Sequence, residues 1–214
     1  MTPIAIAIVG AQPSPQTASP AITFRLRIEN ASGGRVHAIA LRCQTRIEPR
    51  GRRYTKQEQS RLYELFGDVS QWDRTLRGVT WAHSTIVVPS FDREIEVDLP
   101  VACSYDLEVA SAKYLHAVRE GDVPILCVFS GTIFTMAESG VCMEPVSWDL
   151  DASYRLPARV WQSAMDQFFP GGGWLRLQRD TIDRLQAFRG RQAVVSWDEA
   201  IDRLLACERS GEPV

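Results

Sequence analysis

The chain has 214 residues, of which 45% are hydrophobic and six are tryptophans, and its formal net charge is −2. This composition excludes a disordered chain and predicts one large domain, or one domain with an appendage. The nearly balanced charge gives no global attraction to nucleic acid or an anionic membrane, and no apolar run approaches the ~20 residues of a membrane span. Because the apolar residues 4–9 lack a preceding basic region, we expect a cytoplasmic protein rather than a secreted one.

Period-two alternation of apolar and polar residues predicts antiparallel strands from the N terminus to about residue 136. Residues 4–9 form the first. Residues 22–28 alternate most strictly, and the glycine-containing turn at residues 30–34 predicts that residues 36–47 return as their hairpin partner. A β-branched run that ends at Val88 predicts another strand.

A short helix is predicted within this strand-rich region, near residues 55–67. Thr55 and Glu58 have the spacing of a capping box, and Gly67 is placed to end the helix. The helix is a local insertion and does not divide the sheet into two domains.

A basic cluster surrounds this helix, formed by Arg46, Arg50, Arg52, Arg53, Lys56 and Arg61. One interpretation is a patch that binds phosphate or an acidic partner surface. The other is a solvated loop whose charges are neutralised by Glu48, Glu58 and Glu64. We favour the solvated loop because the chain as a whole is slightly acidic.

The segment from residue 94 to residue 136 holds the centre of the predicted sheet. Residues 94–99 alternate with their carboxylates on a solvated face, and residues 124–134 form the last predicted strand. Gly131 suggests a mid-strand bulge, where glycine relieves crowding. Residues 105–114 favour a strand, although their apolar spacing also fits a helix.

After residue 150 the apolar spacing changes to that of helices. We predict three short amphipathic helices: one after Pro157, one capped by Asp180, and one begun by a capping box of Ser196 and Glu199. The fold class is therefore α+β, with an antiparallel sheet over residues 1–150 and a helical region over residues 151–214 packed on it. The two regions are expected to form one domain.

No catalytic, cofactor-binding or metal-binding motif occurs in the sequence. The five cysteines form no C-x-x-C pair, and Ser130-Gly131 lacks the G-x-S-x-G elbow of a nucleophile. The three histidines are far apart and form no H-E-x-x-H pattern. We therefore predict that the protein is not an enzyme and has no cofactor. The alternative is an enzyme, metal or small-ligand site assembled in space, for example from His37, His83 and Cys43.

Aromatic side chains offer a surface for binding another polypeptide. The candidate partner-binding residues are Phe129, Phe134, Trp161, Phe168, Phe169 and Trp174. The alternative interpretation places these side chains in a core between helices and sheet, because amphipathic spacing normally reports burial.

Part of the chain resembles the SecB-type export chaperones. The resemblance lies in a strand-turn-strand unit that turns at Gly121-Asp122 and ends in Gly131-Thr-Ile-Phe134, and in the order of segments over residues 156–185. It implies a SecB-like meander as the sheet, with a β-sandwich as the alternative. It also implies apolar grooves beside the sheet that hold an unfolded or extended polypeptide.

As a whole, the chain resembles an uncharacterised actinobacterial family encoded near the genes of [NiFe]-hydrogenases. The matching segments are residues 36–43, 113–116, 129–132 and 173–177. This resemblance implies an accessory role in assembling or supporting such an enzyme, without assigning a role to any residue.

These features together predict a non-enzymatic accessory or chaperone-like protein. Its expected partner is a polypeptide, either unfolded or a hydrogenase subunit. A second alternative, beside the assembled ligand site, is a structural subunit that uses an exposed sheet edge and forms a homo-oligomer or a larger complex.

Overall fold

The computed structural model describes residues 2–15, 17–104, 106, 109–137, 140–172 and 175–210. Within these ranges it confirms the α+β class with antiparallel sheets. The strands are β1 (Ile4–Pro13), β2 (Ala21–Asn30), β3 (Val36–Ile47), β4 (Val79–Val88), β5 (Glu94–Ala102), β6 (Asp122–Ala137), β7 (Gly140–Pro145) and β8 (Asp151–Pro157). The helices are α1 (Lys56–Arg61), α2 (Tyr63–Phe66), α3 (Trp72–Thr75), α4 (Ala110–Ala117), α5 (Ala158–Asp166), α6 (Arg179–Arg191) and α7 (Trp197–Ser210).

The strands form two antiparallel sheets that share one core. The first sheet has the order β1-β2-β5, and the second has the order β4-β3-β6-β7, with β8 also pairing with β6. Strand β2 buries Phe24 completely, and its ring packs edge-on against Trp81 of β4 and Tyr154 of β8. The alternating apolar faces of both sheets thus meet, as in a sandwich. Of the two predicted sheet arrangements, the sandwich is present and the single meander is wrong.

The predicted hairpin between residues 22–28 and 36–47 is also wrong, because β2 and β3 lie in different sheets. Buried Asn30 holds the connection between them. Its amide donates to the carbonyl oxygens of Gly34 at 2.7 Å and of Asp92 at 2.8 Å, and its oxygen accepts from the amide of Ser32. Two strands that each bury one face have the same alternation in a hairpin and across a sandwich, so the pattern alone could not distinguish these arrangements.

The inserted helix is confirmed as α1 and α2. Both capping-box hydrogen bonds form: the Glu58 amide donates to the Thr55 hydroxyl, and the Thr55 amide donates to the Glu58 carboxylate. Gly67 ends α2 with a φ of 71°. The hydroxyl groups of Tyr54 and Tyr114 lie 2.7 Å apart, which ties this insertion to helix α4.

The strand predicted over residues 105–114 is wrong, because residues 110–117 form helix α4. Ala112, Tyr114, Leu115 and Ala117 are all buried, in the spacing of the helical alternative. Residues 105, 107 and 108 lie outside the described part. The predicted sheet also ended too early, since β7 and β8 follow residue 136.

Gly131 relieves crowding, as predicted, but forms no bulge. Its φ is 146°, and a Cβ at this position would lie 2.0 Å from the carbonyl oxygen of Ala40 on β3. The β3–β6 register runs unbroken past Gly131, and its shift lies between Val36 and Ala38. Around Gly131 the partner of β6 changes from β8, paired up to Val128, to β7, paired from Thr132.

The three C-terminal helices are confirmed as α5, α6 and α7. The chain divides into the compact units Met1–Trp174 and Leu175–Val214. Helix α5 belongs to the first unit and contacts β1, β2 and β8. The second unit contains α6 and α7 and has its own small core of Phe188, Val194 and Ala200.

The starts of α6 and α7 differ from each other in their capping. Gln178 precedes α6, so Asp180 lies in the first turn and is not the cap that was predicted. At α7 the Ser196 hydroxyl accepts from the Glu199 amide at 3.1 Å, as predicted. Within the described residues, no helix is long and apolar enough to cross a membrane.

Candidate functional site

Most of the aromatic residues predicted to bind a partner do not lie on a common exposed surface. Phe129 and Trp161 belong to the core, with 1% and 6% of their surface exposed. Phe168 and Phe169 are half-buried just after α5. Trp174 lies outside the described residues. The two buried rings therefore belong mainly to the core and do not form an exposed aromatic surface.

The alternative site of His37, His83 and Cys43 does not assemble in this structure. Cys43 is 1% exposed and faces the core, whereas both histidines are exposed on the sheet surface. Within the described residues, no three His, Cys, Asp or Glu side chains are grouped as metal ligands.

The interior cysteines act as small apolar side chains. Cys43 and Cys127 flank the buried Thr45 hydroxyl at 3.7 and 3.9 Å. The contact with Cys43, together with burial, raises the pKa of the Cys127 thiol. Burial raises the pKa of the Cys103 thiol to about 12. Such thiols stay protonated near neutral pH and are poor nucleophiles.

The outer face of the second sheet carries a continuous set of apolar side chains, which we call the apolar face. It consists of Ala38, Ala40, Val87, Phe134, Met136, Val141 and Met143. Phe134 on β6 lies between Ala38 of β3 and Met143 of β7, and Met136 lies opposite Val141. Four of these side chains are mainly exposed: Met136 at 56%, Val141 at 62%, Met143 at 69% and Val87 at 74%. An exposed cluster of large apolar groups of this kind is typical of an interaction surface.

The apolar face ends at an open sheet edge. Strand β7 pairs with β6 on one side, and no other described strand pairs with β7. Its single charged residue, Glu144, points to the inner side, where Thr2 donates from its amide and its hydroxyl, at 2.5 and 3.0 Å. These bonds lower the pKa of the Glu144 carboxyl. The outward side chains Val141 and Met143 therefore have none of the charges that normally protect an edge strand.

The outer face of the first sheet is charged instead. Arg25 donates to Asp98 at 2.6 Å, and Arg27 donates to Glu96 at 2.8 Å, across neighbouring strands β2 and β5. These contacts raise the pKa of both guanidinium groups. The carboxylates predicted to lie on a solvated face thus meet arginines directly opposite them, and we call these four residues the charged ladder.

Part of the predicted neutralisation of the basic cluster is confirmed. Arg52 donates to Glu58 at 2.7 Å, and Arg46 lies 3.5 Å from Glu48. Glu64 pairs with Lys113 of helix α4, a residue outside the cluster.

Comparison with solved structures finds weak similarity. A β-glucosidase from Kluyveromyces marxianus matches with 6% identity and a TM-score of 0.26, over 72% of this chain and 15% of that one. A putative ApaA protein from Bordetella pertussis matches with 11% identity and a TM-score of 0.24, over 73% and 94%. β-Glucosidase 3B from Thermotoga neapolitana matches with 11% identity and a TM-score of 0.23, over 72% and 17%. At these TM-scores the similarity supports no functional argument.

The curated proteins contain no match to this sequence. One protein family matches along nearly the whole chain, over residues 1–213, and its description is a family of unknown function. The chain therefore belongs to the family DUF6084.

Proposed function

We propose that this protein is a non-enzymatic accessory protein that binds an extended segment of another polypeptide at strand β7. The observation that carries the proposal is the coincidence of the open edge with the apolar face. An edge strand presents unpaired backbone N–H and C=O groups that can pair with an incoming strand. The apolar face then offers contacts for the side chains of that strand.

The arrangement favours an extended segment over a folded partner. In β-strand addition, backbone hydrogen bonds supply much of the affinity, and alternate side chains of the added strand supply specificity. Val141 and Met143 point to the same outer face, two residues apart. A segment paired with β7 would place every second side chain beside them, so the preferred segment alternates apolar and polar residues.

Methionine suits a surface that accepts varied sequences. Met136 and Met143 are unbranched and polarizable, so they can adapt to apolar groups of different shape. This property matches the expected unfolded polypeptide or hydrogenase subunit. The resemblance to a family encoded near [NiFe]-hydrogenase genes makes a hydrogenase subunit the first specific partner to test.

The test uses a fluorescent, reduced and alkylated model protein as an unfolded probe, and a purified [NiFe]-hydrogenase subunit as the specific partner. We expect saturable binding by the wild-type protein. Changing Val141→Lys and Met143→Lys together is expected to weaken binding about tenfold or more, because charges would face the incoming apolar side chains. The matched control is Val195→Lys, since Val195 is 90% exposed and lies in the other compact unit.

Three results would contradict the proposal. The first is an absence of binding to both polypeptides. The second is equal loss of binding in the β7 variant and in the Val195→Lys control. The third is a stable homodimer, detected by sedimentation, that the β7 variant converts to a monomer, because the apolar face would then be occupied by a second copy of the chain.

A further inference from the structure

A basic cleft lies where the loop after β3 approaches β6 and β8. It has a volume of about 490 Å³. The lining residues relevant to its chemistry are Arg50, Gly51, Arg52, Arg53, Asp122 and Arg155. Arg155 belongs to β8 and is separated by more than 100 residues from the arginines on the loop, so its place in this cluster is not evident from the sequence.

The positive charge of this cleft is only partly neutralised. Arg52 is the one lining arginine with an ion pair in the described part of the chain, to Glu58 at 2.7 Å, and both side chains are largely buried. Arg50, Arg53 and Arg155 have no described carboxylate within 4.0 Å. Because Glu58 neutralises Arg52 and Asp122 offsets one of the three other arginines, the cleft has a net excess of two positive charges. Like charges held together lower stability unless an anion offsets them.

Several contacts hold the arginine-bearing loop in place. Arg50 donates to the carbonyl oxygens of Leu76 at 2.8 Å and of Asp73 at 2.6 Å. The Tyr54 hydroxyl donates to the carbonyl oxygen of Pro49 at 2.6 Å, and the Arg52 guanidinium lies 5.0 Å from the centre of the Tyr54 ring. The cleft is therefore largely formed before any ligand binds.

Gly51 fits the loop closely onto the second sheet. A Cβ at Gly51 would lie 2.9 Å from Cγ of Pro124 on β6, which is closer than side chains normally approach. Arg155 in turn donates to the Gly51 carbonyl oxygen at 3.4 Å. The absence of a side chain at residue 51 thus allows the loop and β8 to bring their guanidinium groups to the same cleft.

We propose that this basic cleft binds a small oxyanion of the phosphate class. A planar guanidinium group can donate two parallel hydrogen bonds to the oxygens of one phosphate. These charge-assisted bonds are stronger than those from neutral donors. The volume lies in the range of about 300–1,000 Å³ that is usual for small-molecule sites. Arg53 and Arg155 are exposed, with Arg155 making one long hydrogen bond of 3.4 Å to Gly51, while Arg50 and Arg52 are held by shorter contacts. This binding does not depend on polypeptide binding at β7.

The experiment titrates the full-length protein with inorganic phosphate and with pyrophosphate in a calorimeter at low ionic strength. We expect saturable binding with one site, tighter for pyrophosphate because it carries more charge. Arg53→Gln and Arg155→Gln are each expected to weaken binding about tenfold, the loss of one charge-assisted contact. Arg93→Gln is the matched control, because Arg93 is exposed on the turn before β5 and does not line the cleft.

Three outcomes would overturn the proposal. One is heat without saturation for both anions. Another is an equal effect of Arg93→Gln and the two cleft substitutions, which would indicate a general effect of net charge. The last is saturable binding of a polyglutamate peptide at the cleft without binding of either phosphate probe, which would make it a protein-binding surface. Circular dichroism of both cleft variants checks that they remain folded.

Discussion

The two sheets are alike on their inner faces, which are both apolar, but they differ in the chemistry of their outer faces. Both sheets bury alternate apolar side chains in a common core. On the outside, the first sheet places Arg25 and Arg27 against Asp98 and Glu96, so its charges pair within the sheet. The second sheet instead carries the apolar face and ends at the open edge of β7.

The fold therefore does not require an apolar outer surface on both sheets. The charged ladder shows that a sheet of this sandwich can carry paired, exposed charges on its outer face. Met136, Val141 and Met143 are exposed and lie outside the core, which is consistent with the proposed binding role.

A large effect on stability is expected from Gly131→Ala in the second sheet. The new Cβ would overlap the backbone oxygen of Ala40, and the residue would keep an unfavourable positive φ. We expect a loss of about 3–5 kcal/mol in the free energy of unfolding, measured with urea. The matched control is Gly10→Ala in the first sheet, where the nearest atom, Cβ of Arg25, is 3.9 Å away. Equal losses in both variants would contradict the role assigned to Gly131.

Substituting one phenylalanine on an inner face and one on an outer face compares how much each face contributes to stability. Phe24→Ala removes a fully buried ring that contacts Trp81 and Tyr154, and is expected to cost about 3–5 kcal/mol. Phe134→Ala removes a half-buried ring from the apolar face and is expected to cost about 1 kcal/mol. Urea unfolding of both variants measures the difference. Equal costs would place Phe134 in the core and weaken the contrast between the two faces.

We expect the Phe134 ring to contribute more to polypeptide binding than to the free energy of unfolding. We expect Phe134→Ala to weaken binding of the unfolded probe about tenfold, because Phe134 lies between Met143 and Ala38 at the centre of the apolar face. Val9→Ala, at an exposed apolar position of the first sheet, serves as the control. Fluorescence anisotropy of the probe measures both affinities. Unchanged affinity in the Phe134 variant would exclude this face as the binding surface.

The smallest effect is expected from the charged ladder. Arg27→Ala, Glu96→Ala and the double variant should each lower stability slightly at low salt, and the interaction between the two sites should vanish at high salt. A double-mutant cycle at two salt concentrations measures this interaction. A coupling that persists at high salt would mean that the ladder is structurally as important as the core.

The sequence predicted local features better than long-range pairing. The strict alternation at residues 22–28 and the capping box of Thr55 and Glu58 depend on neighbouring residues, and both are present. The hairpin joining residues 22–28 to residues 36–47 failed because a strand that buries one face looks the same whichever sheet it joins. Residues 105–114 were ambiguous for a related reason, since their short apolar run fits both periods.

The candidate surfaces were harder to find in the sequence than the elements. Phe134 was among the predicted partner-binding residues, but Met143 and Val141 lie on a strand that was not predicted at all. The apolar face exists only because β3, β6 and β7 are adjacent and in register, which depends on sheet order. Arg155 joined the basic cluster in the same way, through the pairing of β8 with β6.

Hydrogen–deuterium exchange with and without the unfolded polypeptide measures whether strand β7 receives an added strand. If β7 receives an added strand, backbone amides in residues 140–144 will gain protection, because their unpaired groups become hydrogen-bonded. Exchange in β5, the strand of the charged ladder, will stay the same. Protection that appears in β5 while β7 remains unchanged would contradict the account.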